Sequence, residues 1–398
     1  MTQPYWIGIL SRLLTGLTLL AFPVTPARAQ QPVSPVKGFI SVEAYELRKE
    51  FVLQFSAIAE RIGASSVTAI DSGNRAGLEA SIGEWLTGKC PVEVDGKAVT
   101  MDLDRVHFVR PDPEKGLVVE DRDSVPATEA IVGVVFAAAL DGPPDTVRVR
   151  WEVFPPDGAE AVVESGVRNQ RTARRLTPAE PELIWKNEVG LAIPELLSLP
   201  PVPDPQLRQG WMIWVAAAVL LIGLGRGIPA WKRGRKWEWA VWVFIAGGLF
   251  AAGHQTAPLT VTPVQADDIS YALLRNIYHA FDYRRESDIY DTLAKSADGD
   301  LLTQIYLEIQ RSLQVETQGG ARVRVTDVDL RECVLKPNAE GNEPDRFVAD
   351  CQWVAVGTVT HWGHTHDRVN RYHATMTIAP VDGVWKLVGL ELVNEERI

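Results

Sequence analysis

The sequence predicts a multidomain membrane protein: an N-terminal α+β domain with a β-sandwich-like part, a two-helix transmembrane hairpin, and a C-terminal α+β domain. Three observations predict it. Two apolar runs, Trp211 to Gly225 and Ala240 to Gly253, carry no charge and flank a basic turn. The stretch before them passes from helical to alternating periodicity. The stretch after them reads as helices first and strands afterwards.

The hairpin organises the rest. The first span is placed at 211–230, with Arg226 snorkelling so that the helix approaches the roughly 20 residues a bilayer needs. The second is placed at 237–256. Trp211 and Trp214 stand at one entrance, Trp237 and Trp239 at the other, as an interfacial aromatic belt. Lys232, Arg233, Arg235 and Lys236 join Arg226 between the spans, with a basic turn at 231–236. By the positive-inside rule that turn is cytoplasmic and both flanking domains lie on the opposite side. A pair of buried helices is the alternative, because both clean runs are short.

Residues 1–29 read as a secretory signal: Arg12, the apolar stretch Leu13 to Phe22, and an Ala27-Arg28-Ala29 cleavage site. An uncleaved anchor leaves the same topology. Together these features predict a multi-pass bacterial inner-membrane protein with two periplasmic domains. The lipid bilayer is one expected partner and another envelope protein a second. The net charge of −11, basic turn included, argues against nucleic acid.

The first exported domain is placed at 38–193. Ser41 is read as the N-cap of a helix carrying Ala44, Leu47, Phe51, Phe55, Ile58 and Ile62, closed by Gly63. A second helical pattern holds Leu78, Ile82, Trp85 and Leu86. Asp95-Gly96 between short apolar runs predicts a type I′ hairpin. Thr146 to Val153 alternates as a strand, Ala130 to Leu140 reads as a strand buried on both faces, and Leu183 to Trp185 as a last short one. Cys90 is read as a buried small hydrophobe or a free thiol. A Pro-rich spacer follows at 194–210.

The second exported domain is placed at 262–398. Asp267 or Asp268 is read as capping a helix with Leu274, Ile277, Tyr278 and Phe281. A short helix with Ile289 and Leu293 follows, and Asp298 opens a third with Leu302, Ile305, Tyr306, Ile309 and Leu313. Four strands come next: Arg322 to Leu335, Phe347 to Trp362, Arg368 to Ile378 and Val384 to Val393. With the first helix Tyr271-Ala-Leu-Leu-Arg-Asn-Ile-Tyr-His-Ala-Phe and the closing Gly383-Val-Trp-Lys-Leu-Val-Gly, this order resembles the NTF2-like superfamily. The resemblance implies a curved sheet wrapped around helices, with a cavity at the mouth of the cone in some members. It covers this third of the chain only and transfers no catalytic set.

Cys333 and Cys351 stand on consecutive strands equidistant from the loop between them, which permits a cross-strand disulfide in an oxidising compartment. Tyr278, His279, Trp353, His361 and His373 are candidates for a pocket in the cone, with core packing as the ordinary reading. His364 and His366 share a strand face and with His373 could hold zinc or iron, although Gly363 to His366 reads first as a turn. No cofactor is expected. The expected function is a non-enzymatic envelope scaffold or interaction subunit, the alternative being a ligand-binding protein or enzyme that uses the cone cavity.

Overall fold

The computed structural model describes residues 35–112, 116–167, 170–193, 195–203, 210–232, 236–254, 260–317, 322–336, 346–362 and 364–398. The signal segment at 1–29 lies outside them, as do Arg233 and Arg235 of the basic turn.

The chain begins as strands: β1 (Val36–Val42) and β2 (Glu46–Gln54), paired antiparallel, where a helix was expected. Only the one-turn α1 (Phe55–Ile58) and a 3-10 turn at Glu60–Ile62 are helical there. The spacing of Leu47, Phe51, Phe55 and Ile58 satisfies a helix, but within β2 the relevant period is two. Leu47, Phe51 and Leu53 enter the main core, while Glu46, Arg48, Glu50 and Val52 are buried on the opposite face. Charged residues at those positions mimic the wet side of a helix. Gly63 still ends the segment, at φ 69°.

Next come β3 (Ala69–Asp71) and α2 (Arg75–Leu86), the latter over the second predicted helical pattern. β4 (Val92–Val94) and β5 (Lys97–Val99) form the Asp95-Gly96 hairpin, with φ positive at both turn residues as a type I′ turn requires. The domain is completed by β6 (Asp102–Asp112), β7 (Gly116–Val119), β8 (Ser124–Pro126), β9 (Ile131–Ala139), β10 (Thr146–Arg150), β11 (Ala161–Val167), β12 (Gln170–Leu176) and β13 (Glu182–Lys186). One sheet runs β12-β11-β1-β2-β9-β6-β7 and a second runs β13-β10-β4-β5, with β3 and β8 paired apart. Phe51, Val134, Phe136 and Val163 of the first share a core with Val92, Val147, Val149 and Leu183 of the second. Trp151, fully buried, stands over Gly38 and beside Phe51.

Two buried groups in this core titrate against each other. Cys90, at φ 53°, accepts the Glu152 N–H on its sulfur at 3.2 Å. Lys49 donates to the carbonyls of Lys89 (2.6 Å) and Cys90 (2.9 Å) and lies over the Phe136 ring at 5.0 Å. Burial pushes the Cys90 thiol up to about 11 and, in spite of Cys90 and Glu152, lowers the Lys49 pKa. The unfolded thiol ionises first, so Cys90 contributes stability that is lost as pH rises from the ordinary thiol range towards 11. Lys49 acts oppositely, adding stability up to the ordinary lysine value. The expected result is that wild type falls relative to Cys90→Ala by on the order of 2–3 kcal/mol across that window, with Lys49 present in both. Urea melts at pH 8 to 11 check this, and a pH-independent difference refutes it.

The predicted transmembrane hairpin is corrected. α3 (Trp211–Lys232) and α4 (Lys236–Gly253) do pack on each other, with the Cα face of Gly223 against Trp242 and Gly253 against Ile213. Among the described residues, however, no helix is long and apolar enough to cross a membrane. The uncharged runs end at Gly225 and begin again at Ala240, short of the roughly 20 residues required. Trp211, Arg226, Lys232, Lys236 and Trp237 therefore lose their assigned interfacial and topological roles. The multi-pass inner-membrane location with two spanning helices falls with them.

The last part has α5 (Pro263–His279), α6 (Glu286–Leu293) and α7 (Gly299–Thr317), then the antiparallel sheet β14 (Arg322–Lys336), β15 (Phe347–His361), β16 (His364–Val381) and β17 (Val384–Arg397). Asp267 and Asp268 lie inside α5. Its cap is Thr262, in a capping box with Gln265 and with proline at the first helical position. Apolar faces of α5, α6 and α7 meet Ala349, Cys351, Trp353, Met376 and Trp385 in a second core.

Candidate functional site at the domain joint

The charged face of β2 is covered by the end of α5, the start of β14 and the turn between β15 and β16. The first domain presents acids: Glu43, Glu46, Asp104 and Asp141. The second presents bases: Arg284, Arg285 and Arg324. Arg324 lies 3.1 Å from Glu43, 3.4 Å from Glu46 and 3.9 Å from Asp282. Arg284 bridges Glu46 and Asp104, each at 2.9 Å. Arg285 pairs with Asp141 at the exposed rim. Burial alone would weaken the Arg324 charge, but Glu43, Asp282 and Glu46 outweigh it and hold its pKa above the ordinary value. Tyr45 stacks on Tyr283 with centroids 4.1 Å apart.

Trp362 is the apolar anchor. It is 3% exposed and packs with Phe39, Val52, Val109 and Val135. It lies flat over Gly133 of β9, where a Cβ would sit 2.5 Å from its ring. The Arg105 guanidinium covers it at 5.3 Å. Trp362 reaches this slot because it occupies the turn of the β15–β16 hairpin at φ 47°.

Beside the joint, a cleft of about 100 Å³ is lined by Glu195, Arg275, Asn276, His279, Asp282 and Thr326, among others. His279 Nδ1 is 2.9 Å from Asp282 Oδ2, and its ring meets Tyr283 edge-on. Three of the other polar groups are committed. Arg275 pairs with Asp327 at 3.0 Å, and Thr326 donates to the Val356 carbonyl. The Asn276 amide accepts from the Leu197 N–H at 2.7 Å and donates to its carbonyl at 3.0 Å.

Of the predicted pocket residues whose side chains are described, Tyr278 and Trp353 meet, and His279 and His373 do not join them. Trp353 donates to the Tyr278 hydroxyl at 3.2 Å and stacks on Tyr372, filling the interior of the second domain. His279, one residue on, faces the joint instead. His373 lies across from Gln352, with Nε2 3.1 Å from Asp350 and with Thr375 and Lys336 on the same carboxylate. The side chains of His361, His364 and His366 lie outside the described residues. Their backbones correct the expected turn: His364 and His366 belong to β16, paired with His361 and Val359. Among the described residues no cluster of three metal-ligating side chains forms.

Cys333 and Cys351 are direct partners across β14 and β15, but they stand as two free thiols with sulfurs 2.8 Å apart. The expected cross-strand disulfide is therefore not formed between them in this structure. The Cys351 thiol favours the thiolate of Cys333 and is itself pushed up by it and by burial. Ser270 is 3.5 Å from the Cys333 sulfur.

Sequence reasoning missed Glu43, Glu46, Arg284, Arg324 and Trp362. The signals were the Glu-Leu-Arg-Lys-Glu alternation at 46–50 and the lone Trp at a hairpin turn.

No family model matches the chain, and no curated protein matches it. Among solved structures, the intermembrane space region of chloroplast protein ARC6 is similar at 14% identity over 33% of this chain and 97% of that chain, with a TM-score of 0.26. A likeness of that size carries no argument about function.

Proposed function

We propose that the chain is a non-enzymatic interaction or scaffold module: two domains held in a fixed relation by a charged joint, the second on an NTF2-like plan. The observation that carries this is the filled interior of the second domain. Trp353 bonds to Tyr278 and stacks on Tyr372 inside it, and in the neighbouring cleft Arg275 bonds to Asp327 and Asn276 to the Leu197 backbone. Helices followed by a four-stranded antiparallel sheet support the NTF2-like reading of this part.

The small cleft beside His279 and Asp282 favours a second reading, a binding site for a small polar ligand. One experiment separates them. Cross-linking in the native host, followed by purification and native mass spectrometry, is expected to return a stoichiometric protein partner and a chain free of bound small molecules. A retained metabolite that His279→Ala releases overturns the scaffold reading.

A further inference from the structure

We propose that the joint is an exchangeable coupling: the β15–β16 hairpin tip with Trp362, together with Arg284 and Arg324, docks onto the first domain of a second copy of this chain as it does onto its own. The inference rests on the interaction-module reading and names the partner of that module.

Three observations support it. First, the two sides are complementary and not alike. The first domain offers Glu43, Glu46, Asp104 and the bare Gly133 slot, and the second offers Arg284, Arg324 and Trp362. The slot of one first domain has no matching tip on another first domain. The matching surface is the second domain of any copy, and like-charge contact rejects other arrangements.

Second, the contact is rich in ion pairs around one aromatic anchor. Interfaces of this kind resemble transient contacts between proteins more than a shared core. Each half has its own core, one around Phe51 and Trp151 and the other around Trp353 and Trp385, and the cluster that opening the joint breaks is the separate one of Trp362 with Phe39, Val52, Val109 and Val135.

Third, the connection is short. Leu191 packs on the first core, and Leu197 is held to α5 by the Asn276 amide, with Leu199 and Val202 against the second core. Only residues 192–196 separate the two attachments. A hinge this short either folds back to close the joint within the chain or extends and presents the second domain outward. In the extended form the contacts are recovered by reciprocal docking between two copies, and closure makes a symmetric swapped dimer. Docking within the chain gains from effective concentration, so exchange becomes visible once the internal joint is disabled.

The test uses two full-length variants that each break one side. Trp362→Ala removes the tip and keeps the slot. Gly133→Ala fills the slot and keeps the tip, since a Cβ there meets only the Trp362 ring among its nearest atoms. The expected result is that each variant alone runs as a monomer by size exclusion with light scattering, whereas an equimolar mixture forms a species of doubled mass through its one intact pairing. Circular dichroism and a cooperative melt confirm that both variants are folded. A mixture that remains monomeric at every concentration overturns the proposal, as does a dimer of either variant alone. A second pair, Arg324→Glu mixed with Glu43→Arg, breaks the same joint through charge and carries the same outcomes, which covers the case in which one tryptophan-slot variant does not fold. A failed exchange leaves the partner capture described above untouched, and a failed capture leaves the exchange result standing.

Discussion

Arg324→Ala is expected to lower the stability of the joint by about 3–5 kcal/mol, the range for removing one member of a buried charge network. The magnitude follows from what stays behind. Glu46 is fully buried and Glu43 partly buried, and both lose the guanidinium that lies within 3.4 Å of them. Arg284 still reaches Glu46, so the loss should fall on Glu43 first. Arg285→Ala is the control. Its pair with Asp141 is exposed at the rim, where such pairs contribute about 0–1 kcal/mol and are screened by salt.

Urea melts followed by tryptophan fluorescence should show the Arg324→Ala loss at low and high salt alike, and a small Arg285→Ala loss that disappears at high salt. With two cores the unfolding need not be two-state, so the shift belongs to the first transition. Adding Glu43→Met to Arg324→Met should recover part of the loss, because Glu43 is then no longer left without its partner while Arg284 still pairs Glu46. Equal effects for Arg324→Ala and Arg285→Ala would show that water fills the joint and that the network does not hold it.

The same joint explains why the sequence was misread at its start. A helix over 41–62 satisfies the apolar spacing only if Glu46, Arg48 and Glu50 face water. In the fold they face the second domain, more than two hundred residues away in sequence, and no local pattern encodes that cover. Local signals worked where the physics is local. Asp95-Gly96 specifies its turn through backbone φ, Ala130 to Leu140 is a strand buried on both faces, and four late strands follow three late helices. The capping box at Thr262 was legible too, but Asp267 and Asp268 distracted from it.

Sites fared worse than elements. Tyr278 and Trp353 do meet, yet as packing, because a cone can be filled by its own aromatics. His279 and His373 were grouped by residue type, whereas strand alternation and one helical step of about 100° send them to different faces. The apolar runs near 211 and 240 show the limit of composition. Tryptophans and a basic turn resemble a membrane belt, but span length is the stricter criterion and both runs fall short of it.

The second large effect is expected in the first core, where Trp151 and Gly38 form one unit. A Cβ on Gly38 would come within 2.1 Å of the indole, so the ring fills the space the glycine leaves. Its Nε1 donates to the Val153 carbonyl at 2.6 Å, and its face lies 5.1 Å from Phe51. Trp151→Ala should cost about 3–5 kcal/mol through the cavity alone, and more because a buried carbonyl loses its donor. Gly38→Ala should cost about 1–3 kcal/mol or more, since the ring has no free volume to move into and β1 is paired on both sides. If the two residues share one space, their effects cannot add. With the indole gone, the extra methyl on residue 38 has room and fills part of the cavity, so the double variant should be more stable than the sum of the single losses predicts, by roughly 0.5–3 kcal/mol. Additive losses in a denaturant cycle would mean that the core relaxes around each change separately, and that the close approach at Gly38 does not set the position of Trp151.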